Sequence, residues 1–367
     1  MKFIEITNAY PKASKLLEKE DFLRYPCLIA RELGLEPEIW TLKRKGFPKE
    51  EIVNGIRVKR FHNSYSLFFS LFNKDIKLIH SFLRPCKPSL LAGLVNKPKI
   101  FTTVSYEIGS TKLIKIISLF LLKRFDKVIC LTPYELEIYK QNGIEPDKLL
   151  LLPFAIDYNF FSKRIKHKED IMKRYGINSN DFKVITIANF RSCKNLDTMV
   201  KAFQIFNRKI PNSTFIVIGQ DRLKDKETYK EQPPKNKSIL ELIKSNKKIV
   251  WLGERSPHEI RELLNISDVY VLSSSIEAQG LTNYEAAATG KAICLSNIGS
   301  FTTVFKDYVL YHPPKDAKRL SENFYLYYKN KKLREANGRK VKELVKGWDY
   351  KIIKRKLKSL YEELLKK

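Results

Sequence analysis

Short runs rich in Ile, Val and Phe alternate along this chain with longer stretches whose apolar residues recur every three to four positions. Runs of the first kind predict strands buried on both faces, and stretches of the second predict the helices that cover them. KFIEIT, EIWTLK, IRVKRF, IKLIHS, KIFTTV and DKVICLT form one series of strands; KVITIANF, STFIVIG, KKIVWLG, SDVYVLS and KAICLS form a second. Strands alternating with helices in this way build a parallel sheet. Between the series, the Lys-rich stretch 158–181 has no sustained apolar period and reads as an interdomain linker flowing into a helix. The expected fold is α/β: two tandem Rossmann-like doubly wound domains, with ligands bound at the carboxyl ends of strands in a cleft between them. Stretch 223–238, charged and carrying Pro233-Pro234, reads as an exposed loop. The closing segment sets Ile352, Ile353, Leu357, Leu360, Tyr361, Leu364 and Leu365 at helical spacing, a stripe that needs a core to cover.

Composition changes this picture in three places. At 367 residues and 43% hydrophobic, the chain has material for two cores. No apolar run is long enough to span a bilayer and the start MKFIEIT enters a strand directly, so a cytoplasmic protein is expected. Five dispersed cysteines, Cys27, Cys86, Cys130, Cys193 and Cys294, have no CxxC spacing and read as reduced and packed. The formal charge of +29 favours polyanionic partners, be they nucleic acid, anionic lipid or phosphorylated substrate. That charge is uneven: 57–99 has Asp75 as its one acid, whereas 251–300 is slightly acidic.

The acidic island contains the most informative stretch, SDVYVLSSSIEAQGLTNYEAAATGKAICLSN. A buried strand ends at Ser273, Ser274 and Ser275, a turn carries Glu277 and Gly280, and an Ala-rich helix starts near Thr282 with Glu285 in its first turns. Two carboxylates thus flank a helix N-terminus, where backbone amides and the helix dipole favour phosphate. A carboxylate accepts two hydroxyl hydrogen bonds at once, which suits Glu277 to sugar hydroxyls and Glu285 to the vicinal diol of a ribose. Isolated glutamates would read as solvated acids; the order strand, turn, glycine, small-residue helix argues for a site. Arg191 and Lys194 lie in the loop between the strand KVITIANF and the helix after it; alone, two cations in a lysine-rich chain say little.

The segment resembles the E-x7-E motif of retaining glycosyltransferases of family 4. By that resemblance Glu277 contacts the transferred sugar, Glu285 the ribose, and Arg191 with Lys194 the donor diphosphate, assisted by amides of Gln279, Gly280, Leu281 and Thr282. Gln279 stands where members commonly have an aromatic. IVWLGERSPHEIRELLNISDVYVLSSS is similar to the family's strand, Gly253, helix and strand, the loop after Gly253 lining the base pocket. LLPFAIDYNFF resembles the hinge segment, with Phe154 and Ala155 in place of Asn and Gly. The closing helices resemble those whose last member crosses back onto the N-terminal domain. The resemblance therefore implies a GT-B fold: an acceptor-binding domain over 1–160 with helix 348–367, and a donor-binding domain over 161–347.

The N-terminal half departs from the family. NAYPKASK supplies no Gly-Gly turn, leaving Lys12 or Lys15 to meet phosphate, and Ser105 occupies the position where many members have a His that touches the donor sugar. Ser105 can hydrogen-bond a hydroxyl but does not titrate near neutral pH. His80 reads first as a structural strand-end residue. SYSLFFSLFNK and KLIKIISLFLLKRF join bulky apolar residues to cations. They read first as ordinary helices burying a face on the sheet; an exposed face would instead suit an anionic membrane surface and a lipid-linked acceptor.

The expected function is transfer of a sugar from a UDP- or GDP-linked donor to a hydroxyl acceptor, carbohydrate or lipid-linked, with retention and without metal or other cofactor. The protein would then be cytoplasmic or peripheral on the inner face of the membrane. A nucleotide-sugar epimerase of the same architecture and a non-catalytic sugar-nucleotide or membrane-binding scaffold are the rivals. Nucleic acid is disfavoured, since no recognisable nucleic-acid module accompanies the charge.

Overall fold

The computed structural model describes residues 1–7, 25–82, 87–104, 108, 111–220 and 238–366. It divides into two compact units, Met1–Ala155 with Tyr350–Lys367, and Ile156–Asp349.

In the first unit the strands are β1 (Lys2–Ile6), β2 (Glu36–Leu42), β3 (Glu50–Val53), β4 (Ile56–Phe61), β5 (Ile76–Phe82), β6 (Lys99–Thr102), β7 (Lys127–Cys130) and β8 (Leu149–Leu151). Its helices are α1 (Tyr25–Glu32), α2 (Ser64–Ser70), α3 (Lys87–Leu91), α4 (Lys112–Leu122) and α5 (Pro133–Gln141). The sheet runs β3-β4-β2-β1-β5-β6-β7-β8, parallel except for β3. The reading of an all-parallel sheet is corrected there: Asn54 and Gly55 have φ of +48° and +75°, the backbone of a tight hairpin, and they fold β3 back onto β4. The Asn-Gly pair was the available signal. The three-residue strand β8 was too short to register as an apolar run.

Alternation along the strands divides the first unit's residues between two faces. Ile4, Ile6 and Ile79 join Leu67, Leu90, Leu122 and Tyr139 in one core, under α2 to α5. Phe3, Glu5 and His80 face the other way, towards α1 and the chain's last helix. The Phe3 ring lies 5.4 Å from that of Tyr361 in a tilted contact, and Cys27 of α1 donates to Glu5. Helices α2 and α4 bury only one side, so the reading of both as ordinary sheet-packed helices holds for half of each. Helix α4 buries Ser118, Leu121 and Leu122 and leaves Leu113, Ile116, Ile117 and Phe120 exposed.

The second unit opens with α6 (Tyr158–Phe161) and α7 (Lys168–Arg174). These occupy the stretch read as a linker flowing into a helix, and they bury Phe161, Ile171 and Met172 in the second unit's core. Four- and seven-residue helices are too short to show an apolar period. There follow β9 (Phe182–Ile187), α8 (Leu196–Lys209), β10 (Ser213–Ile218), α9 (Ser238–Lys244), β11 (Ile249–Gly253), α10 (Pro257–Ile266) and β12 (Val269–Leu272). The unit continues through α11 (Leu281–Ala288), β13 (Ala292–Ser296), α12 (Gly299–Phe305), β14 (Leu310–His312), α13 (Ala317–Lys329) and α14 (Lys331–Lys346). The last helix, α15 (Tyr350–Leu365), belongs to the first unit, where it packs on α1 and β5.

Every residue of β9, β10, β12 and β13 is buried, as expected for parallel strands covered on both faces. Ile185, Ile216, Tyr270 and Ile293 enter one core and Val184, Phe215, Val271 and Cys294 the other. The sheet order is β11-β10-β9-β12-β13-β14. Chain order therefore reverses direction between β9 and β12, and a crevice at such a switch point, beyond the carboxyl ends of the strands, is where nucleotides bind in doubly wound sheets. Stretch 223–237, the body of the expected exposed loop, lies outside the described residues, as do Lys12, Lys15, Cys86 and Ser105.

Candidate functional site

The loops that leave β9 and β12 meet at this switch point. After β9, Arg191 leads into a short turn over Ser192–Lys194, and Asn195 takes the left-handed backbone with φ of +47°. Asparagine tolerates that conformation better than most residues because its short polar side chain bonds locally. Here the amide instead reaches across: Asn195 Nδ2 donates to the Ser273 carbonyl and to Ser275 Oγ, both at 2.7 Å. Ser275 returns a backbone bond of 2.8 Å to the Cys193 carbonyl. Two loops 80 residues apart in sequence are thereby held as one surface.

On that surface Lys194 Nζ donates to Glu277 Oε1 at 2.5 Å, each side chain being 16% exposed. The sequence assigned these residues to one pocket, and they are in contact. Gly280 has φ of +72° and is the N-cap of α11; a Cβ there would lie 2.7 Å from Asn283 Nδ2 and 3.1 Å from Glu277 Cγ. The glycine thus lets the turn close down over Glu277. Gln279 is buried in the turn, Leu281 and Thr282 begin the helix, and Glu285 is half-buried one turn on. Thr282 Oγ1 shares a 2.8 Å hydrogen bond with the Tyr270 hydroxyl, so this side chain anchors the helix to β12. Burial pushes the Tyr270 hydroxyl pKa up, the Thr282 bond partly offsets this, and the charges of Glu285 and Glu277 raise it further. Both carboxylates therefore act on one locality.

Arg191 is half-buried in the same loop as Lys194, and Gly253 lies two strands away at the end of β11, with φ of +70°. Four residues of this region escaped the sequence reading. Gly219, ending β10, admits no side chain, because a Cβ would fall 2.0 Å from the Ala188 carbonyl oxygen; its amide donates to Gly253 and its carbonyl accepts from Trp251 Nε1. A glycine directly after a buried strand was the available signal. Asn195 stitches the loops, and Asn283 is fully buried with neither amide atom hydrogen-bonded within the described residues. No pattern in the sequence announces either role. His312, also unassigned at first, bonds Ser273 Oγ at 2.9 Å, and burial lowers its pKa to about 4. It supports the strand end as a neutral imidazole.

Among the described residues no group of three or more His, Cys, Asp or Glu is placed to hold a metal ion, and no helix is long and apolar enough to cross a membrane. Cys27, Cys130 and Cys294 are buried free thiols, and Cys193 is partly exposed beside Lys194.

Comparison with known proteins gives this half of the chain a family. Residues 167–344 match the family described as glycosyl transferases group 1. The chain is also 27% identical over 243 residues, 64% of its length, to the UDP-Gal:alpha-D-GlcNAc-diphosphoundecaprenol alpha-1,3-galactosyltransferase of Escherichia coli, of which it covers 60%. It is 29% identical over 188 residues, half its length, to the alpha-monoglucosyldiacylglycerol synthase of Acholeplasma laidlawii, of which it covers 42%. It thus spans about half the length of these curated relatives. Among solved structures, Anabaena Alr3699/HepE in complex with UDP and glucose superposes with a TM-score of 0.76 at 14% identity, covering 99% of this chain and all of that one. The fold is that of the GT-B glycosyltransferases, and the switch-point loops described above lie inside the group 1 domain.

Proposed function

We propose that the chain transfers a sugar from a nucleoside diphosphate sugar to a hydroxyl of a lipid-linked acceptor, with retention of configuration and without a metal. The observation that carries this reading is the contact of Lys194 with Glu277 at the β9/β12 switch point, beside the N-terminus of α11. In the reaction the bond from anomeric carbon to diphosphate oxygen breaks as the acceptor oxygen bonds the same carbon, its proton passing to the departing diphosphate. Negative charge builds on the leaving diphosphate, and Lys194, Arg191 and the first amides of α11 are the groups at hand to stabilise it. Glu277 orients the sugar through its hydroxyls and Glu285 holds the ribose. With the donor in place, Lys194 exchanges its carboxylate partner for phosphate oxygens, and Glu277 is released to the sugar. The relatives' names, which include a diphosphoundecaprenol-linked and a diacylglycerol-linked acceptor, support the lipid-linked class and a site of action at the membrane.

The test is donor turnover by Glu277→Ala and Lys194→Ala. Each is expected to lose about 100- to 1,000-fold in rate, the typical cost of removing one preorganised electrostatic group. Wild-type rates in both would remove the mechanism. Incubation with donor alone, followed for an isomerised sugar nucleotide, separates transfer from epimerisation. A thermal-shift series with UDP- and GDP-sugars identifies the base, since a bound donor raises the midpoint.

A further inference from the structure

The first unit carries an apolar surface that its own core does not use. In α4, Leu113, Ile116, Ile117 and Phe120 recur at i, i+3, i+4 and i+7, and they are 67, 56, 48 and 54% exposed. That spacing makes one stripe along about 16 Å of helix, opposite the buried side formed by Ser118, Leu121 and Leu122. Soluble surfaces scatter large apolar residues singly, so an ordered stripe calls for an occupant. Helix α2 lies in the same layer, both helices packing on α3, and it exposes Tyr65 and Phe69, four positions apart, at 67 and 69%.

Charge decides what the occupant is. Lys112 and Lys115 flank the first turns of α4, Lys123 and Arg124 follow its end, and all four are exposed. The guanidinium of Arg124 sits 4.7 Å from the Phe120 ring, so that cation and stripe share one surface. No acid occurs in 108–125, and 57–124 holds thirteen Lys and Arg against Asp75 and Glu107. A second copy of the same face would oppose like charges across a two-fold axis, which disfavours self-association. An anionic bilayer matches both features, taking the apolar stripe into its interfacial region and the flanking cations against its headgroups.

We propose that the outward face of α4, with the aromatic residues of α2, docks the protein on an anionic membrane surface. The idea deepens the lipid-linked reading above, on which its biological purpose rests, but the surface itself stands on exposure and charge.

The experiment uses the full chain and two kinds of vesicle, phosphatidylcholine alone and phosphatidylcholine mixed equally with phosphatidylglycerol. The wild type is expected to sediment with the anionic vesicles only. Leu113→Gln/Ile117→Gln/Phe120→Gln and Lys112→Gln/Lys115→Gln/Lys123→Gln/Arg124→Gln should each lower that partitioning at least tenfold, given roughly fivefold per neutralised cation. All of these side chains are exposed, so both variants should keep the wild-type thermal midpoint and the wild-type rate of donor hydrolysis in solution. Wild-type protein that stays in the supernatant, or an apolar variant that sediments undiminished, overturns the proposal. So does a wild-type dimer that the apolar variant converts to monomer, which assigns the face to self-association. Vesicle binding without donor turnover sinks the transfer reading and leaves the docking surface standing.

Discussion

Three glycines of the second unit isolate what the turn at Gly280 requires. Gly347 has φ of −67° and open space where a Cβ would stand, so Gly347→Ala should stabilise by about 0.4–1 kcal/mol through the unfolded chain alone. Gly176 has equally open space but φ of +65°, a conformation costing an L-residue about 1–2 kcal/mol, so after that entropic offset Gly176→Ala should lose about 1 kcal/mol. Gly280 combines φ of +72° with a Cβ position 2.7 Å from Asn283 Nδ2. Asn283 is fully buried and cannot swing into solvent, which adds an overpacking cost of about 1–3 kcal/mol. Gly280→Ala should therefore lose about 2–4 kcal/mol, a fall in thermal midpoint of roughly 5–10 °C for a unit of this size. Any relief comes from moving Glu277, whose Cγ stands 3.1 Å away, so this substitution alone should also depress donor turnover. Thermal unfolding of the three variants, with donor hydrolysis beside it, gives the comparison. Equal losses for Gly176→Ala and Gly280→Ala would refute the close packing of the turn.

Two further outcomes follow from the polar contacts. Asn195→Ala removes two hydrogen bonds and leaves alanine in a left-handed conformation, together about 2–3 kcal/mol by urea unfolding, and should weaken donor binding as the loop bearing Lys194 loses its tie; a loss below about 0.5 kcal/mol would discount the stitch. His80, bonded to Tyr361 and Thr102 at 2.5 and 2.7 Å, has its pKa lowered by burial from 6.5 to about 3. The unfolded state then binds the extra proton between those values, so the neutral histidine's stabilisation is full above pH 6.5 and declines by up to about 1.4 kcal/mol per unit as the pH falls towards 3. Glu135 in the same unit works oppositely, burial raising its pKa to about 7 and favouring the folded state at low pH, so the informative quantity is the difference from His80→Gln. That difference should shrink as the pH drops below 6.5, and one that holds constant from pH 7 to 4 would contradict the assignment.

Local chemistry alone determined the strands of the two sheets wherever an apolar run reached about four residues, because a strand covered on both faces must be continuously apolar whatever its neighbours. It also determined the turn at Gly280, since glycine before a small-residue helix narrows the backbone choices. The short strands β8 and β14, the helices α6 and α7 and the hairpin of β3 were legible weakly or not at all, their few residues being held by long-range pairing and not by their own periodicity. The stripe of α15 announced a buried face, but only tertiary packing chose the surface, bringing Tyr361 to His80 across 281 positions. The site shows the same division. Glu277, Glu285, Arg191 and Lys194 were legible as residue types in a pattern, whereas the meeting of Lys194 with Glu277 depends on β9 and β12 lying side by side, with Asn195 tying their loops. On α4 the pattern could not say which apolar face would be covered. A helix with apolar residues on more than one side can bury only as much as the sheet beneath it has room to accept, and the remainder stays exposed.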